Sequence, residues 1–515
     1  MKFDVAKVGG VVVIVLILIY GLLLVRTAWV AEDAYITFRT VDNFIHGYGL
    51  TWNIGERVQT YTNPLWMFLV SAAYALTREM FFTVIGLSVF ISFLVAWIFA
   101  ERLAVSWRES VLGLSFLVCS KAFVDYSTSG LENPLTHLFI VVFLAIYWGK
   151  SSGHRRIFLL SLVASLAAIN RMDTILLFLP ALAFSTLTTE GPKKIRALLL
   201  GACPFIAWEF FALIYYGFPF PNSFYAKLHT GIGAGELAAQ GIFYVFNSVQ
   251  LDPITLLGLA LGIVIALVSK KPDLIFLAAG ALFYSAYVVK IGGDFMSGRF
   301  FAAPLLLAVA IIARIPQRSS AAVILAVFAV GAVGMTGPYP PLLSNADFVN
   351  SKIDEKGIAD ERGFYYQYAG LLKASRSVHP PTLNRDLAAL AKEKGGVMVI
   401  GNVGYFGFFA GPMAHIVDTI GITDPLLARL PSSKNPNWRI GHFERAIPEG
   451  YVETLEKRNV LLSDGNLGNF YRKLLLITRG RLFSVDRVRE IIKMNLGRYR
   501  SLIDQNRYRN PPPKK

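Results

Sequence analysis

The sequence is short of several things, and each shortage excludes something. It has two cysteines in 515 residues, Cys119 and Cys203, both inside apolar runs. They carry no message about redox compartment and do not form a metal site. No His/Cys/Asp cluster has metal-ligand spacing, which excludes a recognisable transition-metal centre. Charged residues make up only 16% while hydrophobic ones reach 54%, and the mean hydropathy is +0.51. That balance excludes an ordinary soluble protein and predicts an integral membrane one. Acidic residues are outnumbered 34 to 50, for a net charge of +16. In a membrane chain this excess serves topology and anionic lipid, so no nucleic-acid partner is expected. Nor is a cleavable leader expected. The first apolar run is too long for a signal core, and Trp29 stands where a cut after Ala31 needs a small residue, so the run reads as an uncleaved anchor. No internal repeat is visible. Gly401-Asn402-Val403-Gly404-Tyr405-Phe406-Gly407 has the wrong spacing for a dinucleotide fingerprint.

What is present is a series of apolar segments near 9–30, 81–100, 110–124, 134–149, 157–170, 174–189, 196–216, 253–269, 272–290, 300–314 and 320–337. A span needs about 20 residues. The apolar stretch 64–76 would reach only about 20 Å as a helix. It is therefore expected to be a juxtamembrane helix, with Pro64 in its first turn. With the N-terminus (Lys2, Lys7) in the cytoplasm, the loops 101–108, 150–156, 193–196, 270–271 and 314–318 are cytoplasmic, and each carries basic residues, as the positive-inside rule requires. Eleven spans and an exterior C-terminus follow. Residues 1–339 form the transmembrane domain. After Pro338 the chain turns mixed and charged, and 340–515 is expected to be an exterior α/β domain. Strands are expected at 396–401 and 414–419, and helices at 387–394 and 485–494. The basic tail 499–515, with its three prolines, is expected to be loosely ordered.

The exterior loops hold the unusual residues. The first has Glu32, Asp33, Tyr35 and Arg39, then His46, Trp52 and Asn53, and leads to Trp66. The second has Asp125 and Ser129-Gly130-Leu131-Glu132-Asn133. The third has Arg171 and Asp173, where a structural ion pair is the favoured reading. The fourth has Asn222, Lys227 and His229, and the fifth has Gly292-Gly293-Asp294-Phe295-Met296-Ser297-Gly298-Arg299. A carboxylate pair where a helix leaves the bilayer is costly unless it has a task. Loops that supply carboxylates and cations are what transfer from a lipid-linked phosphate requires. A cation stabilises the leaving phosphate, and a carboxylate base deprotonates the attacking hydroxyl. Glu132 before Pro134 also suits a first-turn helix charge.

Several motifs occur together and in order: Glu32-Asp33-Ala34-Tyr35, Gly55-Glu56-Arg57-Val58, Tyr61-Thr62-Asn63-Pro64-Leu65-Trp66, Pro221-Asn222-Ser223-Phe224-Tyr225-Ala226-Lys227, the fifth-loop motif, and Gly421-Ile422-Thr423-Asp424. In this the chain resembles polytopic GT-C glycosyltransferases, among them the mycobacterial terminal arabinofuranosyltransferases and the type IV pilin arabinosyltransferases. The resemblance implies a GT-C fold in the bacterial inner membrane, with an exterior active site. It implies a polyprenyl-phosphate sugar donor, with arabinofuranose the expected sugar, and a glycan or protein acceptor. Transfer would be inverting, with Asp33 as base and Glu32 sharing or tuning that role. Arg299, Lys227 and Arg39 would bind the donor phosphate. Tyr35, Glu132, Asp294, Asn222 and His229 would meet the sugar or acceptor, and Trp52 and Trp66 would form a stacking wall. A divalent cation, Mg or Mn, between Asp33 and the phosphate is left open. The rivals are a lipid or polysaccharide transporter, a GT-C enzyme using another sugar, and an assembly scaffold. A transporter would place its charges at mid-membrane on broken helices.

Overall fold

A computed structural model describes residues 5–228, 230–344, 353–373 and 385–511. Two compact units emerge, each drawn from three stretches of chain. The first is Met1–Ala31, Glu79–Phe205 and Ala234–Pro380, and the second is Glu32–Arg78, Ile206–Gly233 and Pro381–Lys515. The sequence reading cuts the chain once, at residue 340.

The first unit is an α-helical bundle. Its centre is the helix Ala302–Ile312, whose eleven residues are all buried. A helix apolar on every side belongs inside. Pro253–Ser269 lies closely against it, and Gly258 and Gly262 are the reason. A Cβ at Gly258 would come within 2.8 Å of the Leu305 side chain, and one at Gly262 within 2.6 Å of the Ala308 carbonyl. Small residues four apart let two membrane helices approach this way.

Each of the eleven apolar segments read from the sequence is helical along most of its length. Among the described residues four helices suffice, by length and composition, to cross a membrane alone: Gly9–Thr27, Phe81–Leu103, Lys193–Tyr215 and Pro272–Lys290. Two expectations change. The segment 110–124 breaks at Ser120, whose hydroxyl caps a short helix, Lys121–Asp125, by accepting from the Phe123 N–H. The segment 253–269 is the second arm of a bent pair, Ala234–Leu251 and Pro253–Ser269, which meet at 110°. Proline lacks the N–H that would continue the first helix.

The second unit carries the α/β character expected of the C-terminal part. Gly396–Ile400 and Ala414–Asp418 pair in parallel, in register from Gly396 with Ala414 to Ile400 with Asp418. Gly404–Phe409 forms the crossover helix. Pro64–Thr77 is a helix with Pro64 in its first turn, as read from the sequence. An apolar core joins Leu427, Leu467, Phe470, Leu474 and Tyr508. Tyr508 corrects one expectation. The tail forms the helix Gln505–Arg509, and the Tyr508 hydroxyl donates to Asp464 at 3.0 Å, so the tail is tied down as far as this helix.

Candidate functional site

In the second unit Asp33 is the N-cap residue of the helix Ala34–Ile45 and Glu32 precedes it. Both are half-buried. The Glu32 carboxylate accepts the Tyr405 N–H at 3.1 Å, at the start of the crossover helix. This contact explains the glycine-rich stretch that failed as a nucleotide motif. A Cβ on Gly404 would lie 2.1 Å from the Glu32 carbonyl oxygen, and one on Gly407 would lie 2.6 Å from the Trp52 ring. The glycines make room for close contact within the unit. Burial pushes the Glu32 carboxyl up most, and the charge of Asp33 adds to it, against the N–H groups of Tyr405 and Gly404; the result is about 8.

Several expected ligand contacts in this unit turn out to be structural. The buried Arg39 guanidinium donates to the carbonyls of Trp52 (2.8 Å), Gly407 (2.6 Å) and Ala414 (2.7 Å) and lies over the Trp52 ring at 4.4 Å. Three backbone acceptors use its fork, so it is a clamp and not a phosphate ligand. Trp52 and Trp66 are fully buried and offer no face for a sugar to stack on. Tyr35 is buried in an aromatic cluster with Phe38, Tyr405 and Phe408. Asn222 donates to the carbonyls of Gly421, Ile422 and Asp424 and accepts from Arg429. This joins two of the sequence motifs in one turn and uses the amide on both sides. Lys227 is exposed on the helix Asn222–Leu228. His229 lies outside the described residues.

The first unit gathers a second set. Glu132, Asp294 and Arg299 come together there, with Arg171 and Asp173. Glu132 Oε1 meets Arg171 Nη1 at 2.7 Å and Arg299 Nη2 at 3.1 Å. Asp173 holds the other side of Arg171 at 2.8 Å, the ion pair favoured from sequence. Asp294 stands 3.6 Å from Arg299. Glu132 is thus the anchor of two arginines, which corrects its assignment as a sugar contact. Burial alone would raise its carboxyl, but Arg299 and then Arg171 outweigh burial and hold it down, at about 2. The loop that delivers Arg299 is organised by Tyr244, which sequence reading missed. Its hydroxyl donates to the Met296 carbonyl at 3.0 Å and accepts from the Phe300 N–H at 3.2 Å. Gly293 has φ of +72° in the left-handed region, and a Cβ there would come within 2.5 Å of Tyr244.

Of a further buried network only Asp125 was singled out from the sequence. Lys121 pairs with Asp125 and, at 3.0 Å, with Asp360, and Arg362 meets Asp125 at 2.6 Å. The i, i+4 spacing of Lys121 and Asp125 was a sequence signal for their pairing. The charges of the first set stand at helix ends: Glu132 before Asn133–Tyr147, Arg171 after Gly153–Asn170, and Arg299 just ahead of Ala302–Ile312. Among the described residues no group of three His, Cys, Asp or Glu side chains is placed to hold a metal ion.

No family model matches the chain. The terminal beta-(1->2)-arabinofuranosyltransferase of Mycobacterium tuberculosis is 23% identical to it over 523 positions, covering 82% of each chain. The protein of the same name from Corynebacterium glutamicum is 27% identical over 331 positions, 54% of this chain and 46% of that one. Among solved structures, apo ArnT from Cupriavidus metallidurans matches with a TM-score of 0.53 at 12% identity, over 82% of this chain and 88% of its own. ArnT bound to undecaprenyl phosphate matches with a TM-score of 0.52 at 12% identity, over 81% and 87%. The chain therefore has the GT-C polytopic membrane fold, and the resemblance read from its motifs holds.

Proposed function

We propose that this chain is a membrane glycosyltransferase that moves arabinofuranose, with inversion, from a polyprenyl-phosphate donor to a glycan or protein acceptor outside the cell. The acceptor hydroxyl gives its proton to Asp33 and its oxygen attacks the anomeric carbon. The bond from that carbon to the phosphate oxygen breaks, and polyprenyl phosphate leaves. The names of the two relatives support the sugar. The undecaprenyl phosphate held by ArnT supports the lipid. The topology assigned from charge supports an exterior site in a bacterial inner membrane, with 340–515 as the exterior domain that presents the acceptor.

One observation carries the reading. A half-buried aspartate opens a helix beside a glutamate that is pinned by the Tyr405 N–H and driven towards its protonated form. Such a pair suits general-base work better than structural pairing. Within the first unit, Arg299 is the phosphate-facing cation, with Glu132 as the residue that positions it, and Asp294 remains assigned to the sugar. Within the second, the exposed Lys227 is the candidate cation.

The test is transfer by the full chain in lipid vesicles, with radiolabelled polyprenyl-phospho-arabinose and candidate acceptors. Asp33→Asn is expected to lose transfer while expressing and folding normally, and near-normal turnover in that variant would overturn the base assignment. Arg299→Lys keeps the charge but loses the fork. It is expected to raise the donor KM more than it lowers kcat, and an unchanged donor response would count against the phosphate role.

A further inference from the structure

One helix of the second unit is built inside out. In Val485–Asn495 the buried positions include Arg487 and Glu490 beside Ile491. The opposite stripe is apolar and open: Val485 is 72% exposed, Val488 44%, Ile492 54%, and Leu496, just past the end, 68%. Spacings of three and four residues put these on one face. Phe483, immediately before the helix, is 80% exposed and extends the stripe. A soluble domain has no reason to turn this face to water. Over residues 481–500 six basic residues accompany two acidic ones, and exposed Arg481, Arg489, Arg498 and Arg500 border the stripe.

The helix is also fixed at a defined height. The buried Arg487 donates to the carbonyls of Ile214 at 2.7 Å and Tyr215 at 2.9 Å, and Asn495 donates to that of Gly217 at 2.8 Å. Ile214 and Tyr215 are the last two residues of Lys193–Tyr215, a helix long and apolar enough to cross a membrane alone. Carbonyls in a last helical turn lack partners within their own helix, and here a side chain of the amphipathic helix satisfies them. The final turns of that span expose Ile206, Phe210 and Leu213, and the span ends in the part-exposed Tyr215, a residue type that marks a membrane–water interface.

We propose that Val485–Asn495 is an interfacial helix. It lies in the membrane surface where Lys193–Tyr215 leaves the hydrocarbon, with Phe483, Val485, Val488, Ile492 and Leu496 sunk among the acyl chains and the bordering arginines on anionic headgroups. Such helices settle about 5–10 Å into the headgroup boundary. A second copy of the chain fits less well, because the basic border would face its own charge, whereas anionic lipid complements it.

Spin labels test this in the full chain. Cys203→Ser removes the exposed native thiol and leaves the buried Cys119. Val488→Cys, Ile492→Cys and Leu496→Cys are labelled singly, with Glu456→Cys, exposed on Tyr451–Lys457, as the water reference. In vesicles of phosphatidylcholine with phosphatidylglycerol, the three stripe labels are expected to meet oxygen more and chelated nickel less. Their accessibility ratio should exceed the reference by roughly tenfold and fall when phosphatidylglycerol is omitted. A ratio equal to that of Glu456→Cys would overturn the proposal. So would low access to both quenchers, the signature of a protein partner. A ratio indifferent to phosphatidylglycerol would overturn its anionic-lipid part.

Discussion

Glu132 and Glu32 both stand just before a helix, and their surroundings drive them in opposite directions. Glu132, in the first unit, lies between Arg171 and Arg299 and is held ionised, at about 2. Glu32, in the second unit, has Asp33 as its neighbour and rises to about 8. Burial pushes both carboxyls up, so the neighbour decides the sign. The lesson is a division of labour: one carboxylate is a fixed counter-ion that keeps arginines in place, and the other is driven towards its protonated form by burial and an adjacent carboxylate.

The largest expected effect separates the two directly. Asp33→Asn is expected to lower transfer by about 10²–10⁴-fold, the usual contribution of a positioned general base, with the thermal transition unchanged. In the first unit the order of effects reverses. Arg171→Ala leaves Glu132 and Asp173 without their shared cation. Breaking a buried pair from one side costs about 3–5 kcal/mol, which would appear as a lowered Tm whatever the substrate. If Arg171→Ala kept its Tm and lost only activity, the contrast between the two carboxylates would collapse.

Gly404→Ala comes next. Its Cβ has to displace the backbone of Glu32, and forced overpacking costs about 1–3 kcal/mol. Transfer is expected to fall alongside stability because the carboxylate pair moves. A fully active, fully stable Gly404→Ala would show that the Glu32 contact is dispensable.

The smallest effect is a change of slope. The folded-state carboxyl of Glu32 is raised from 4.5 to about 8, so the folded chain holds a proton there that the unfolded chain has released. The stability this supplies is complete below the unfolded value and is lost as pH rises through about 8. Glu32→Gln should remove that loss. Between about pH 6 and about pH 9 the wild-type Tm should therefore fall relative to the variant. Glu132 has the opposite sign. Its stabilisation is present above the ordinary glutamate range and is lost only as pH falls towards 2, so Glu132→Gln should leave the slope between about pH 6 and about pH 9 unchanged.

Much of the fold was readable because apolar length is a strong signal. The helical character of the eleven apolar segments, the Pro64 helix start and the two strands at 396–400 and 414–418 all follow from local pattern. The site was readable by residue type but only partly by role. Arg39 and Arg299 look alike in sequence, each a cation near aromatic residues in a polar stretch. What separates them is distant: Arg39 meets the carbonyls of Gly407 and Ala414, whereas Arg299 meets Glu132 and Asp294. Trp52 suggested a sugar platform for the same reason; only the fold reveals that its ring lies beneath Arg39. Tyr244, at the hub of the Arg299 loop, sits in a helix with no local sign of its task.

The clamp at Arg39 also bears on how the chain is made. Its partners Gly407 and Ala414 lie 368 and 375 residues downstream. At about 5–20 residues per second, translation leaves this segment waiting for on the order of 20–75 seconds. During that interval the helices from residue 79 onward must insert. Until then the helix Ala34–Ile45 carries an arginine with none of these carbonyls to bind. The second unit is therefore a late, high-contact-order assembly, and its first stretch, Glu32–Arg78, waits longest for its partners.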